Sequence, residues 1–299
     1  MPSLVNSVFG WIVGGSYNHS DQPYEVSCNV VLKTSHDSLN DLVSKFWEIE
    51  DFHPPKNNKS LNEEQAETYF LENTTTNDAS RVMVRLPFKI PPTVLGHSFA
   101  NAQRRFISLE RRLDRDYSLK KMYKDFLDEY IELDHMTEVQ HIDHMKPHYY
   151  IPHHCVIRPE SVSTKLRVVY DASAKTSSGQ SLNGILLVGP TIQQDLIITL
   201  LSFRLNKFTL TADISKMFRQ FLLDDRDRVF QLILWRDDVH QQLRTYALNT
   251  ITYGLASSPF QAVRCLSYIA TLQQDTHPTA ASVLKQDFMS TTCLLELAR

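Results

Sequence analysis

A short apolar strand that stops on a single carboxylate constrains this chain more than any other stretch. In residues 208–220, FTLTADISKMFRQ, Phe208, Leu210 and Ala212 alternate with Thr209 and Thr211, the period of two expected of a sheet strand. Asp213 follows where that alternation ends, and Met217, Phe218 and Phe221 continue at helical spacing. A carboxylate at the end of a buried strand suits a divalent cation, because hard cations take oxygen ligands and a rigid strand end holds them still. Taken alone, Asp213 reads first as a turn residue or a helix N-cap. The rest of the chain has to decide between the two.

The chain has 299 residues, enough for one to three domains with sizeable cores. Its net charge of −3 carries no overall basic signature of a nucleic-acid binder. Cys28, Cys155, Cys265 and Cys293 are scattered without a CxxC pair, which argues against a zinc site or a disulfide framework and suits a reducing compartment. No apolar run reaches membrane-spanning length, and the N-terminus lacks a charged-then-apolar leader. The expected setting is intracellular and cytoplasmic, with no membrane partner.

Residues 1–16 form an apolar, strand-like piece ending in Gly14 and Gly15. A helical pattern follows from Asp37, with Leu39, Leu42, Val43, Phe46 and Trp47 on one face. Ser60 and Glu63 are spaced as a capping box opening a helix through about residue 72, and residues 81–88 alternate like a strand. A long helical region is predicted over 98–133, broken at Tyr117 and Ser118. Phe99, Ala102, Phe106, Leu109 and Leu113 make one face of its first half, and Met122, Phe126 and Tyr130 extend the second. Between residues 104 and 124 eight basic residues face three acidic ones; Arg104, Arg105, Arg111, Arg112, Lys120 and Lys121 are the candidate phosphate contacts. A solvated helix face explains the same charges without a ligand.

His135, His141, His144, His148, His153 and His154 follow, without the helical spacing and glutamate of a zinc protease, and read as structural. Strands are then predicted over 155–157 and 166–170 as a hairpin, an amphipathic helix over 190–203, and paired strands over 229–235 and 244–248. A glycine-containing loop, TYGLASSPF, feeds a helix over 260–273. The pair Asp224 and Asp225 reads as solvent-facing.

Four features now stand in order: a hairpin carrying Lys165 and Arg167, a strand ending in Asp213, a GLASSP loop opening a helix, and a segment beginning Gln286, Asp287, Phe288. This order resembles the fingers and palm of a reverse transcriptase. The run YIPHHCVIRPESVSTKLRVVYDASAKTSSGQSLNGILLVGPTIQQDL, with TADISKMFRQ and ITYGLASSPFQAVRCL, is similar to the polyprotein of Pao/BEL-type LTR retrotransposons. SVFGWIVGG, VSKFWEIE, RVMVRLPFK and LGHSFANAQRRFISLERRL extend the resemblance over nearly the whole chain. It implies an α+β fold in three parts: a retropepsin-like tail over 1–16, a mostly helical connector over 17–145, and reverse-transcriptase fingers and palm over 146–299, an antiparallel sheet with packed helices and no thumb. It also implies Mg2+ or Mn2+, an RNA or DNA primer–template, a deoxynucleoside triphosphate, and the rest of the polyprotein as partners. Such polymerases join a 3′-hydroxyl to an α-phosphate with two metal ions, and Asp213 matches the first metal carboxylate.

By the same resemblance Phe218 crowds the sugar 2′ position, and Lys165 and Arg167 hold triphosphate oxygens. Tyr253 and Gly254 line the nucleotide pocket, and Ser258 opens the helix beneath the template. Each also has a plain reading: Phe218 as core, Lys165 and Arg167 as surface charges, Gly254 as a turn glycine.

The family pattern then breaks. A Tyr-x-Asp-Asp hairpin should supply the remaining carboxylates, yet residues 289–297 read MSTTCLLEL. One codon choice for those residues, shifted by one nucleotide from a Phe288 codon ending in T, reads Tyr-Val-Asp-Asp-Leu-Leu-Thr-Gly-Ala. The expectation is a gene that has lost one nucleotide near Phe288, and a chain that does not hold its metals productively. No Asp-Thr-Gly or Asp-Ser-Gly triplet exists, so protease activity is not expected either. The alternative from another class is a non-catalytic nucleic-acid-binding or particle-associated module using the basic helices.

Overall fold

The computed structural model describes residues 3–7, 10–14, 60–158, 160, 165–193, 209–286, 288–289 and 292–296. The chain divides into two compact units, Met1–Asn58 and Lys59–Arg299. In the first, β1 (Ser3–Ser7) and β2 (Gly10–Gly14) pair as an antiparallel hairpin with Ser7 opposite Gly10. The helix expected around residues 39–47 lies outside the described residues.

The second unit is a mixed α+β body of helices packed on small sheets. Helix α1 (Leu61–Asn73) opens with the predicted capping box: Ser60 accepts from the Glu63 N–H while Glu63 accepts from the Ser60 N–H. It buries only Ala66 and Phe70, and Phe70 meets Phe260 edge-on at 6.0 Å. Strand β3 (Thr75–Thr76) pairs antiparallel with β4 (Val82–Val84), shorter than the strand expected over 81–88. Helices α2 (Phe99–Asp114) and α3 (Tyr117–Glu132) break at the expected elbow, where Asp116 caps α3 by accepting from the Leu119 N–H at 3.0 Å. Their buried stripes are Ala102, Phe106, Leu109, Leu113 and then Leu119, Tyr123, Leu127, Tyr130. Phe99 stands at the rim, 39% exposed, and α3 sets Tyr123 fully inside, with Met122 and Phe126 partly buried against the core beside it. The tyrosine goes inside because its hydroxyl finds a buried partner, which its sequence position cannot reveal.

Strand β5 (Met136–Glu138) leads to the hairpin of β6 (His153–Ile157) and β7 (Leu166–Tyr170), in register from His153 opposite Tyr170 to Ile157 opposite Leu166. A short helix, α4 (Leu182–Ile185), comes next, and β8 (Thr209–Asp213) ends on the candidate carboxylate. The helix expected over 190–203 lies outside the described residues beyond Gln193, and residues 190–193 are not helical. After a 3-10 turn at Met217–Gln220 come β9 (Leu222–Leu223), β10 (Leu232–Trp235) and β11 (Arg244–Leu248). Val229, expected in a strand, sits in a 3-10 turn at Arg228–Phe230. Helices α5 (Ser258–Leu272) and α6 (Pro278–Gln286) precede β12 (Phe288–Met289) and β13 (Thr292–Glu296). The sheets order as β3-β4-β9, β10-β11-β5 and β12-β13-β8.

The division expected between residues 145 and 146 is not a division of this unit. β5 pairs with β11, and β4 runs parallel to β9, so residues 60–145 share sheets with strands from the second half of the chain. Ion pairs reinforce the join: Asp227, 1% exposed, accepts from two Arg85 guanidinium nitrogens at 2.9 and 3.2 Å and from the Leu86 N–H. Asp224, expected to face solvent, is mostly buried and accepts from the Arg226 guanidinium, which holds its carboxyl down to about 2. Asp225 does face solvent, at 82% exposure.

At the centre lies a layer of rings. His153 is 4% exposed and hydrogen-bonded on both nitrogens, to the Leu234 carbonyl at 2.9 Å and to the Tyr123 hydroxyl. Because the carbonyl must accept, Nε2 carries the proton and Nδ1 accepts from the phenol. Trp235 stacks on Tyr123 at 5.4 Å, and Phe106 closes the layer edge-on at 5.8 Å.

Candidate functional site

Asp213 is exposed at the end of β8, and the strand beside it is β13, with Thr292 directly opposite. The hairpin of β12 and β13 pairs Met289 with Thr292 and Phe288 with Cys293. The segment after Asp213 is anchored from below. Lys216 adopts a left-handed conformation, φ 55°, as the chain turns, and both Lys216 and Arg219 reach Glu129 of α3. Arg219 also lies over the Tyr130 ring at 4.6 Å. Sequence reading missed this anchor, because its two halves lie some ninety residues apart.

Behind the turn, Phe218 meets Tyr253 edge-on at 6.5 Å, and Tyr253 meets Tyr170 at 5.5 Å. Burial pushes the Tyr253 phenol well up, with Tyr130 beside it. The Tyr170 hydroxyl makes no hydrogen bond of good geometry, although Tyr130 is its neighbour. Gly254 is required where it stands: its φ is 102°, and a Cβ would meet the Tyr170 carbonyl oxygen at 2.1 Å. Asn183 brackets the loop, donating to the Gly254 carbonyl at 3.0 Å and accepting from the Ala256 N–H at 2.8 Å. Nothing in the sequence around Asn183 marked it for that role.

Phe218, Tyr253 and Gly254 therefore come together, and Arg167 lies near enough to bear on the Tyr253 phenol. Arg167 and Lys165 are exposed on the hairpin, with Arg167 on the face opposite the buried Leu166, Val168 and Tyr170. Ser258 does open α5. It is 1% exposed, and its hydroxyl donates to the Thr252 carbonyl at 2.6 Å, so it shapes the loop from inside rather than facing a ligand.

A cavity of about 200 Å³ opens beside Phe218, walled by Val188, Gly189, Gln193, Met217, Pro259 and Phe260 among others.

No protein-family model matches this chain, and no curated protein matches it. Among the described residues no helix is long and apolar enough to cross a membrane.

The donor set beside Asp213 does not fit two divalent metals. Asp213 brings one carboxylate, its cross-strand partner is a threonine, and among the described residues no three potential ligands gather. A hard dication takes about six oxygen ligands, and two ions in register need several shared carboxylates.

The six basic residues on the helices divide. Arg105 pairs with Asp171 at 2.5 Å and Lys120 with Asp114 at 2.8 Å, so these two serve the fold. Arg104, Arg111, Arg112 and Lys121 are exposed without an ion-pair partner among the described residues.

Proposed function

We propose that this chain is a stretch of a Pao/BEL-type retrotransposon polyprotein, carrying part of the fingers and palm of an RNA-directed DNA polymerase whose metal site a frame loss has left incomplete. In this reading Asp213 descends from the first metal carboxylate, and Phe218, Tyr253 and Gly254 from the wall of the nucleotide pocket. Arg167 and Lys165, both exposed on the hairpin, are the cations that would meet a triphosphate. The register of β13 against β8 carries the reading. In the shifted frame the paired aspartates fall at positions 291 and 292, and position 292 is the one that stands opposite Asp213.

Sequencing the transcript across codons 288–297 tests the frame loss directly; codons that cannot be re-read as Tyr-Val-Asp-Asp-Leu-Leu-Thr-Gly-Ala end it. Metal binding tests the site. The chain as it stands should bind no Mn2+ at Asp213. A version carrying those nine residues in place of 289–297 should bind Mn2+ and lose it on Asp213→Ala. In primer extension the unaltered chain should synthesise nothing, and Asp213-dependent synthesis by it would show that the site is complete after all.

A further inference from the structure

Helices α2 and α3 carry a second feature that the Asp213 site does not use. Along α2 the buried stripe is Ala102, Phe106, Leu109 and Leu113. Advancing each position by two residues turns it about 200°, onto the opposite face, and gives Arg104, Ser108, Arg111 and Arg115, all exposed. On α3 the same step from buried Leu119 gives exposed Lys121. Arg104 to Arg115 spans roughly 16 Å at the helical rise, with the small Ser108 between them.

Of the acids beside the stripe, Asp125, exposed one turn after Lys121, is the one not engaged elsewhere among the described residues. Glu110 is 8% exposed and binds the Arg236 guanidinium at 2.7 and 2.8 Å. Asp114 pairs with Lys120, and Asp116 caps α3. Arg104, Arg111, Arg115 and Lys121 have no ion-pair partner among the described residues. At the elbow, between Arg115 and Lys121, stands Tyr117, 82% exposed. An aromatic ring so open within a cationic stripe has no use in packing.

We infer that this outer face of α2 and α3 binds single-stranded nucleic acid, with the arginines on successive phosphates and a base stacked on Tyr117. Arginine's planar fork fits phosphate oxygens, and aromatic stacking accepts any base. An acidic protein or an anionic membrane fits less well, because Tyr117 is a single exposed ring and no large aliphatic side chain is exposed between residues 100 and 130 to join it as an anchor. The inference does not rest on the polymerase reading, since it needs neither Asp213 nor a metal.

The test is fluorescence anisotropy of the full chain with labelled 20-nucleotide oligo(U) RNA and oligo(dT) DNA, in EDTA, over a salt series. Binding should weaken with salt, and the tighter probe identifies the natural source. Replacing Arg104, Arg111 and Arg115 by Gln should cost at least about tenfold in affinity and flatten the log–log salt slope by about 2, near 0.7 per lost phosphate contact. Tyr117→Ala should cost roughly fivefold or more with the slope unchanged. Lys146→Gln, at a side chain 80% exposed elsewhere, should change nothing. Circular dichroism checks that each variant folds. Absence of binding to both probes, arginine or tyrosine variants that bind as tightly as the parent, or equal displacement by polyglutamate or by phosphatidylserine vesicles would each overturn the assignment.

Discussion

The strand end at Asp213 and the ring layer at His153 belong to one unit, and both place a titratable side chain at a strand terminus. Asp213 is exposed, and its neighbour across the sheet is a threonine. His153 is enclosed by Tyr123, Phe106 and Tyr170 with both nitrogens engaged. The polar group that stabilises the fold is the one with no functional motif around it. The one that carries the motif stands exposed at a strand end. A binding carboxylate has to remain open to its ligand, whereas a buried polar group persists only when fully partnered.

Substitutions should separate the two regions widely. His153→Ala removes a buried ring and strands both the Leu234 carbonyl and the Tyr123 hydroxyl, so urea unfolding should show a loss of about 3 to 4 kcal/mol. A loss near zero would mean that the layer repacks and the contrast fails.

Acidification should discriminate next. Burial holds the His153 imidazole down at about 4, against 6.5 when free. The unfolded chain therefore takes up a proton that the folded chain refuses. The contribution is complete above pH 6.5 and is lost as pH falls towards 4, by about 2 kcal/mol at pH 5 from this one group. His135, likewise pushed down to about 4 by burial and by the Arg219 charge, acts in the same direction. Urea midpoints at pH 7 and pH 5 measure the drop, and His153→Ala should reduce it.

Tyr123→Phe keeps the ring and deletes only the donor to Nδ1, so a loss of about 1.5 kcal/mol is expected. The smallest effect belongs to the other region. Asp213→Ala should shift stability by no more than about 0.5 kcal/mol, as for an exposed side chain with no partner among the described residues. A larger loss would show that Asp213 has a structural role that its exposure conceals.

Much of the secondary structure was legible. The Ser60 capping box, the elbow at Asp116, the β6–β7 hairpin, and the strand stopping at Asp213 all rest on short-range signals, which neighbouring residues suffice to express. Of the site, Phe218, Tyr253 and Gly254 were legible as a set and do assemble. The anchor from Lys216 and Arg219 to Glu129 and the bracket from Asn183 were not, because each joins residues far apart in sequence. That the Ser258 hydroxyl donates to the Thr252 carbonyl was not legible, because a serine opening a helix looks alike whatever its hydroxyl faces.

The amino-acid sequence by itself determined where most strands and helices begin and end, which faces are apolar, and that no paired aspartates come after Phe288. Periodicity, caps and residue identity are local properties, and folding does not alter them. Only the tertiary structure decided that residues 60–145 share sheets with the rest of their unit, that His153 is a doubly bonded core residue, and that position 292 stands opposite Asp213. Those facts depend on strand register and on which buried polar groups find partners. Both are settled by contacts between distant segments, which no local pattern encodes.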